Sequence, residues 1–166
     1  QACDTIRYNV SNRQSLAKNW ILYQSDVRAI KYNEIVRSVD LVAGGPPCQP
    51  FSMGGKARGR MDSRDMFPEA VRAVRELHPR YFVFENVKGL LRESFASYFN
   101  YIILQLSYPI VTRHEKEDWT EHLSRLEKIH TSGRLPELSY RVVYRLLNAA
   151  DFGVPQYRHR VFIVGF

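Results

Sequence analysis

Short apolar runs alternate with longer amphipathic stretches along this chain. Five runs predict strands, at residues 20–23, 39–43, 81–84, 140–147 and 160–166. Between them, apolar residues recur at helical spacing from Met66 to Leu77 and again over 95–106, and these stretches predict helices. Strands that alternate with helices favour the α/β class, here as a partial doubly wound and mostly parallel sheet.

Residues 112–136 interrupt this pattern with a polar stretch of mixed charge. We expect this stretch to be an insertion on the surface of a single domain that spans residues 1–166. Its Glu- and Lys-rich middle, 115–128, predicts an exposed helix with intrahelical ion pairs. A solvated face explains such charges, so the pattern indicates no function for this stretch.

Composition narrows the class of protein. With 45% apolar and 25% charged residues, the chain has the composition of an ordinary globular protein. A formal charge of +7 favours a polyanionic partner such as nucleic acid, although a merely basic soluble protein has the same charge. Two cysteines are too few for a disulfide framework or a zinc site, so we expect a reducing compartment and no metal. No apolar run approaches the roughly 18 residues of a membrane span.

Polar residues follow three of the predicted strands at the point where each strand ends. Asp26 follows the first strand, Cys48 the second, and Glu85 with Asn86 the third. In open α/β sheets the active site lies beyond the carboxyl ends of the strands. The sequence therefore predicts that these residues form one site.

Cys48 comes directly after Gly44-Gly45-Pro46-Pro47. A single cysteine is most often a small buried hydrophobe. Prolines end a strand ladder, however, so we expect Cys48 in a loop at the sheet edge, where a thiolate can react. Glu85 ends an apolar strand, and desolvation there would favour the neutral acid that proton exchange needs. An exposed acid beside Lys88 is the alternative.

Three segments together resemble the cytosine-C5 DNA methyltransferase family. Residues 45–52 (GPPCQPFS) resemble its nucleophile motif, 84–87 (FENV) its glutamate motif, and 156–160 (QYRHR) its two-arginine motif. Each motif alone is a weak signal, but their order and approximate spacing also agree. The resemblance runs from about Asp26 to the end of the chain. It implies a Rossmann-like fold of the S-adenosylmethionine-dependent methyltransferase type.

The resemblance implies how the catalytic residues act. The Cys48 thiolate would add to C6 of a cytosine flipped out of the duplex, which lets C5 take a methyl group. Glu85 would support the base at N3 as charge develops, and Asn86 would fix Glu85 and the neighbouring backbone. Arg160 would donate to the cytosine O2, and Arg158 would hold the loop or the target phosphate. A surface arginine pair that points the same way along a strand is the alternative for the last two.

The resemblance also implies cofactor and DNA contacts. Asp26 matches the acid that binds the adenine amino group of S-adenosylmethionine, and Val27 and Pro47 accompany it, although a strand-end Asp is commonly a turn residue or helix cap. Residues 52–60 resemble the family's closing loop, but a flexible surface loop has the same composition. The residues expected to contact double-stranded DNA are Gln49, Ser52, Lys56, Arg58, Arg60 and Gln156.

The sequence also departs from the family pattern. The glycine-rich cofactor cradle, the target-recognition region and the closing helix have no counterpart in it, and Asp4 aligns only loosely with the acid that binds the ribose. We therefore expect a fragment that binds S-adenosylmethionine weakly or not at all by itself, with the missing motifs truncated or on a complementary chain. The alternatives are a non-catalytic DNA-binding or assembly module and a tRNA cytosine-5 methyltransferase. The bacterial cytoplasm, as in restriction-modification, is the expected location, or the nucleus in a eukaryote.

Overall fold

The computed structural model describes residues 2–12, 19–35, 38–47 and 65–166, which fall in two compact units, Gln1–Lys31 and Tyr32–Phe166. The first unit contains helix α1 (Ala2–Ser11) and a single 3-10 turn, Val27–Ala29. None of its described residues is buried. The strand expected at 20–23 is wrong, since these residues form no strand and Trp20 and Ile21 are exposed. An apolar run becomes a strand only where its backbone groups pair with a neighbour.

The second unit contains a four-stranded sheet covered by helices. Its elements are α2 (Tyr32–Ile35), β1 (Leu41–Gly44), α3 (Phe67–Leu77), β2 (Tyr81–Val87), α4 (Ala96–Ser107), α5 (Trp119–Ser132), β3 (Val142–Asn148) and β4 (His159–Gly165). The strands expected at 39–43, 81–84, 140–147 and 160–166 and the helices expected at 66–77 and 95–106 are confirmed, with ends that differ by a few residues. None of the helices among the described residues is long and apolar enough to cross a membrane.

The strands lie in the order β1-β2-β4-β3. β1 and β2 are parallel, whereas β4 runs antiparallel to both β2 and β3. The α/β class is thus confirmed, but the pairings of the described strands are mixed rather than mostly parallel. Only residues 149–158 join β3 to β4, and a parallel pair needs a crossover of about a dozen residues or more, so this pair is antiparallel.

The core lies between one face of the sheet and helices α3 and α4. Phe82 and Ile163 from the sheet pack there with Phe67 and Val74 of α3, and all four are fully buried. Helix α3 starts where the Asp65 side chain accepts a hydrogen bond from the backbone N–H of Phe67 (3.1 Å). The side-chain carboxylate replaces one of the backbone acceptors that a first turn lacks.

Gly165 of β4 lies directly opposite Phe82 of β2. A Cβ at position 165 would overlap the Phe82 ring. That ring is packed against Phe84 (centroids 5.4 Å apart) and Tyr140 (5.2 Å), so it has little room to move. The sheet therefore needs a residue without a side chain at position 165.

Helix α5 corrects the expectation of a fully solvated helix at 115–128. It begins later, after a capping box in which Asp118 and Glu121 each bind the other's backbone N–H, and it buries His122 and Leu126 against α4. These two residues are one turn apart and share a face. His122 accepts from the Tyr101 hydroxyl at Nδ1 (2.8 Å) and donates to the Val111 carbonyl from Nε2 (2.9 Å).

Candidate active site

The parallel pairing of β1 with β2 brings residues 45–47, here called the glycine–proline turn, next to the glutamate motif at 84–87. Gly44 lies opposite Phe84, so residues 45–47 continue past the strand end beside Glu85. A Cβ built on Gly45 would lie 3.4 Å from Oε2 of Glu85 and 3.7 Å from its carbonyl oxygen. The backbone of the turn thus lies against the Glu85 carboxylate, and two of the three predicted strand ends do meet.

Asn86 fixes this turn to the sheet. Its side chain is buried, and its Nδ2 donates to the carbonyl oxygen of Pro46 (2.9 Å) while its Oδ1 accepts from the backbone N–H of Val87 (2.8 Å). Prolines have no N–H of their own, so the turn depends on carbonyl groups for its anchoring. Asn86 supplies the donor for one of them.

The other side of the turn is tied to the start of α3. The backbone N–H of Met66 donates to the carbonyl oxygen of Pro47 (3.0 Å), and the neighbouring Asp65 is buried, with its carboxylate bound by the Tyr98 hydroxyl. Pro47 and Met66, which lie on either side of residues 48–65, are therefore adjacent. The expected nucleophile and most of the expected DNA contacts lie outside the described residues, namely Cys48, Gln49, Ser52, Lys56, Arg58 and Arg60.

Glu85 forms an ion pair with Arg160 of β4, with Arg160 Nε 2.6 Å from Glu85 Oε1. The antiparallel register places Arg160 opposite Val87, diagonally across from Glu85 on the same face of the sheet. The Glu85 side chain is 39% exposed and that of Arg160 is 22% exposed. The dry surroundings expected for Glu85 from the sequence are therefore wrong, because the carboxylate is partly exposed and lies beside a guanidinium.

Arg158 lies just before β4 rather than on it, so the alternative of a surface arginine pair along one strand does not hold. The Arg158 side chain is exposed, but both of its backbone polar groups are hydrogen-bonded. Its N–H donates to Asn148 Oδ1 (3.0 Å), and its carbonyl accepts from the backbone N–H of Ala149 (3.0 Å). Gln156 is exposed in the same connection. The connection therefore presents Arg158 and Gln156 to solvent.

Asn148 is a site-building residue that the sequence reasoning missed. Its Oδ1 accepts from Ala150 (3.4 Å) as well as from Arg158, so one side chain fastens both ends of residues 149–158. Asn is a common cap of a helical turn, so the sequence held a signal for this role. The cap of the 3-10 turn Ala149–Phe152 is indeed Asn148.

Asp26 and Val27 belong to the first unit, at the 3-10 turn. Asp26 caps that turn by accepting from the Arg28 N–H (3.0 Å), and its carboxylate also pairs with the Arg28 guanidinium (2.8 Å). The Arg28 side chain is the main reason why the pKa of Asp26 falls to about 2. The capping role that the sequence left open for Asp26 is therefore present. Its convergence with Glu85 stays a prediction.

Comparison with known proteins places these residues in a family context. The family model for C-5 cytosine-specific DNA methylases matches residues 6–108 and 120–166. The Type II methyltransferase M.AquIA of Picosynechococcus sp. is 40% identical over 98% of this chain, and M.NgoMIV of Neisseria gonorrhoeae is 36% identical over 98%. The chain spans 58% of the length of the first relative and 40% of the second.

Solved structures agree with this result. A prophage-encoded E. coli protein described as a DNA modification methyltransferase matches 86% of this chain, at 26% identity and a TM-score of 0.52, with 32% of its own length covered. The S. pombe Dnmt2 methyltransferase matches 96% of this chain and 40% of its own, at 16% identity and a TM-score of 0.50, which supports the fold alone. The fold is of the S-adenosylmethionine-dependent methyltransferase type, as expected, and the chain belongs to the C-5 cytosine-specific DNA methylase family.

Proposed function

We propose that this chain, residues 1–166, is the catalytic region of a DNA (cytosine-5-)-methyltransferase that acts on a cytosine flipped out of double-stranded DNA. The observation that carries the proposal is the Glu85–Arg160 ion pair beside Gly45, with Asn86 anchoring the turn that leads to Cys48. The similar relatives are bacterial Type II methyltransferases, which supports DNA as the substrate and the bacterial cytoplasm as the location.

In this proposal the Cys48 thiolate forms a covalent bond to C6 of the cytosine. The addition turns C5 into an enamine-like carbon that takes the methyl group. Loss of the C5 proton and departure of the thiolate then restore the aromatic ring. S-adenosylmethionine supplies the electrophilic methyl group when it is bound.

Glu85 and Arg160 offer the base two complementary groups on one face of the sheet. The Glu85 carboxyl would bind the N3 edge of the ring and Arg160 would donate to O2, where density builds up after addition. Their ion pair holds both side chains in place before the base arrives, which lowers the cost of ordering them. Arg158 and Gln156, exposed beside them, would contact the DNA backbone together with Gln49, Ser52, Lys56, Arg58 and Arg60.

Asp26, Val27 and Pro47 would hold the cofactor. The Asp26 carboxylate is half exposed although it pairs with Arg28. Arg28 already donates to both carboxylate oxygens of Asp26, from its backbone N–H and its guanidinium, so the adenine amino group would have to replace one of these contacts. Because the chain spans 58% or less of the two relatives above, we propose that a further segment or a complementary chain completes the cofactor and target-recognition sites.

The nucleophile is tested by Cys48→Ser in the whole gene product that contains this chain. Transfer of labelled methyl groups to duplex DNA and the covalent adduct with 5-fluorocytosine DNA are expected to disappear, while DNA binding persists. Cys3→Ser, which changes the other cysteine, is the matched control and is expected to keep both signals. Unchanged transfer by Cys48→Ser would refute the assignment.

The same assay separates the alternatives. A non-catalytic DNA-binding or assembly module would bind duplex DNA but transfer no methyl group even before substitution. A tRNA cytosine-5 methyltransferase would label transfer RNA in preference to DNA. Either result would replace the function proposed here.

A further inference from the structure

The connection from β3 to β4, residues 149–158, exposes large apolar side chains. Tyr157 is 88% exposed, Phe152 69% and Val154 46%. Apolar residues scattered singly on a surface are ordinary, but three within one short connection mark a contact surface. No part of the proposed function so far uses these side chains.

This connection has a well-defined backbone. Asn148 Oδ1 binds the N–H groups of Ala150 and Arg158, and the Ala149 N–H donates to the Arg158 carbonyl (3.0 Å). Gly153 adopts a left-handed conformation (φ 85°) that lets its N–H reach the Ala150 carbonyl (3.2 Å). Tyr157 is therefore presented by an ordered segment, which reduces the entropy lost on binding.

The charge around Tyr157 favours a nucleic acid over a protein partner. From Val142 to Phe166 the chain carries three arginines and one acid, Asp151. Asn148 Nδ2 lies 3.3 Å from the Asp151 carboxylate. Tyr157 is followed directly by the exposed Arg158. An exposed aromatic ring beside an exposed guanidinium combines a stacking surface with a phosphate contact.

We propose that Tyr157 stacks on a nucleobase of the DNA next to the target cytosine, while Arg158 holds an adjacent phosphate. The inference rests on the proposed function, because base flipping leaves neighbouring bases unstacked and able to accept a ring. Tyr157 precedes Arg160 by three residues, and Arg160 pairs with Glu85, so the stacking surface adjoins the candidate site. Phe152, in the same connection, is a second exposed aromatic side chain.

The test compares two labelled probes of equal length in fluorescence anisotropy titrations of this chain: a thymine oligonucleotide and an abasic phosphodiester. Tyr157→Ala is expected to weaken binding of the thymine probe at least about fivefold, since one stacked base contributes that much, and to leave the abasic probe unchanged. Tyr157→Trp keeps the ring and is expected to retain binding. Arg158→Gln is expected to weaken both probes and reduce the salt slope by about 0.7.

Tyr8→Ala, which removes an exposed tyrosine of α1, is the matched control and is expected to bind both probes normally. Circular dichroism verifies that every variant is folded. Equal effects of Tyr157→Ala on both probes, no effect, or no binding of either probe by the unchanged chain would each overturn the stacking proposal. A gene product that transfers methyl groups but whose Tyr157→Ala variant binds the thymine probe as before would refute the role of Tyr157 alone. Base-dependent binding in a gene product that never transfers methyl groups would refute the proposed enzyme instead.

Discussion

At the scale of single residues, Asn86 joins the sheet to the turn that precedes Cys48 through its hydrogen bond to Pro46. Asn86→Asp keeps the shape of the side chain but replaces the donor with a second acceptor facing the Pro46 carbonyl. Because the group is buried, we expect the free energy of unfolding to fall by about 1–3 kcal/mol, and methyl transfer to fall with it. Urea denaturation followed by circular dichroism measures the first effect.

Asn12→Asp provides the control for this substitution. Asn12 Nδ2 also donates to a backbone carbonyl, that of Tyr8 (2.9 Å), but Asn12 is exposed, so water can replace the lost bond. We expect a change within about 0.5 kcal/mol. Equal losses for Asn12→Asp and Asn86→Asp would show that burial of the amide does not matter.

The residue types of the site were predictable, but their surroundings were not. Glu85, Asn86 and Arg160 follow from the motifs, and the meeting of Glu85 with the glycine–proline turn follows from their positions at the ends of strands. The Glu85–Arg160 ion pair depends on the register between β2 and β4, which neither strand specifies alone. The environment of Glu85 was therefore predicted as dry, whereas it is charged and partly exposed.

At the scale of elements, α5 is held by a buried face that its charged composition concealed. Leu126 is fully buried, so Leu126→Ala should leave a cavity and lower the free energy of unfolding by about 2–5 kcal/mol. Leu135→Ala, at an exposed leucine, should change it by less than about 0.5 kcal/mol. Thermal or urea unfolding measures both changes. If α5 were detached from the rest of the unit, the two variants would lose the same small amount of unfolding free energy.

The docking of α5 should also depend on pH through His122. Burial lowers the pKa of His122 from its ordinary value of 6.5, because loss of solvent disfavours the charged imidazolium. The unfolded chain therefore takes up the proton first, so the stability that neutral His122 contributes is present above about pH 6.5 and is lost as the pH falls towards the folded-state pKa.

His122→Gln removes this titration, and its unfolding free energy should vary less between about pH 7 and about pH 5 than that of the unchanged protein. His114→Gln changes an exposed histidine and should preserve the original pH dependence. An identical pH dependence in His122→Gln and the unchanged protein would contradict the role of His122. Urea titrations at a series of pH values provide the comparison.

At the scale of the whole molecule, the two units differ in how much they bury. Helix α1 has no buried residue, whereas α4, of similar length, buries most of its side chains. Local opening costs least where few apolar contacts hold an element. In hydrogen–deuterium exchange we expect the amides of α1 to exchange at least about tenfold faster than those of α4. Comparable protection of the two helices would contradict this difference.

The overall architecture was predictable in class but not in pairing. The alternation of strands and helices gave the α/β class and most element positions, because apolar periodicity reports burial directly. It could not assign neighbours, so the mostly parallel sheet and the strand at 20–23 were wrong. The run at 20–23 is apolar enough for a strand, but its tryptophan and isoleucine are exposed in this structure.

The close contact of Gly165 with the Phe82 ring has a consequence for how this sequence can diverge. A mutation that adds a side chain at position 165 would be tolerated only after a smaller residue had replaced Phe82, since each change alone leaves either an overlap or a cavity. The two positions are 83 residues apart in the sequence, yet both must change, with Phe82 replaced before Gly165. Substitutions at this pair should therefore be correlated across the homologous proteins, with glycine retained wherever the aromatic ring is.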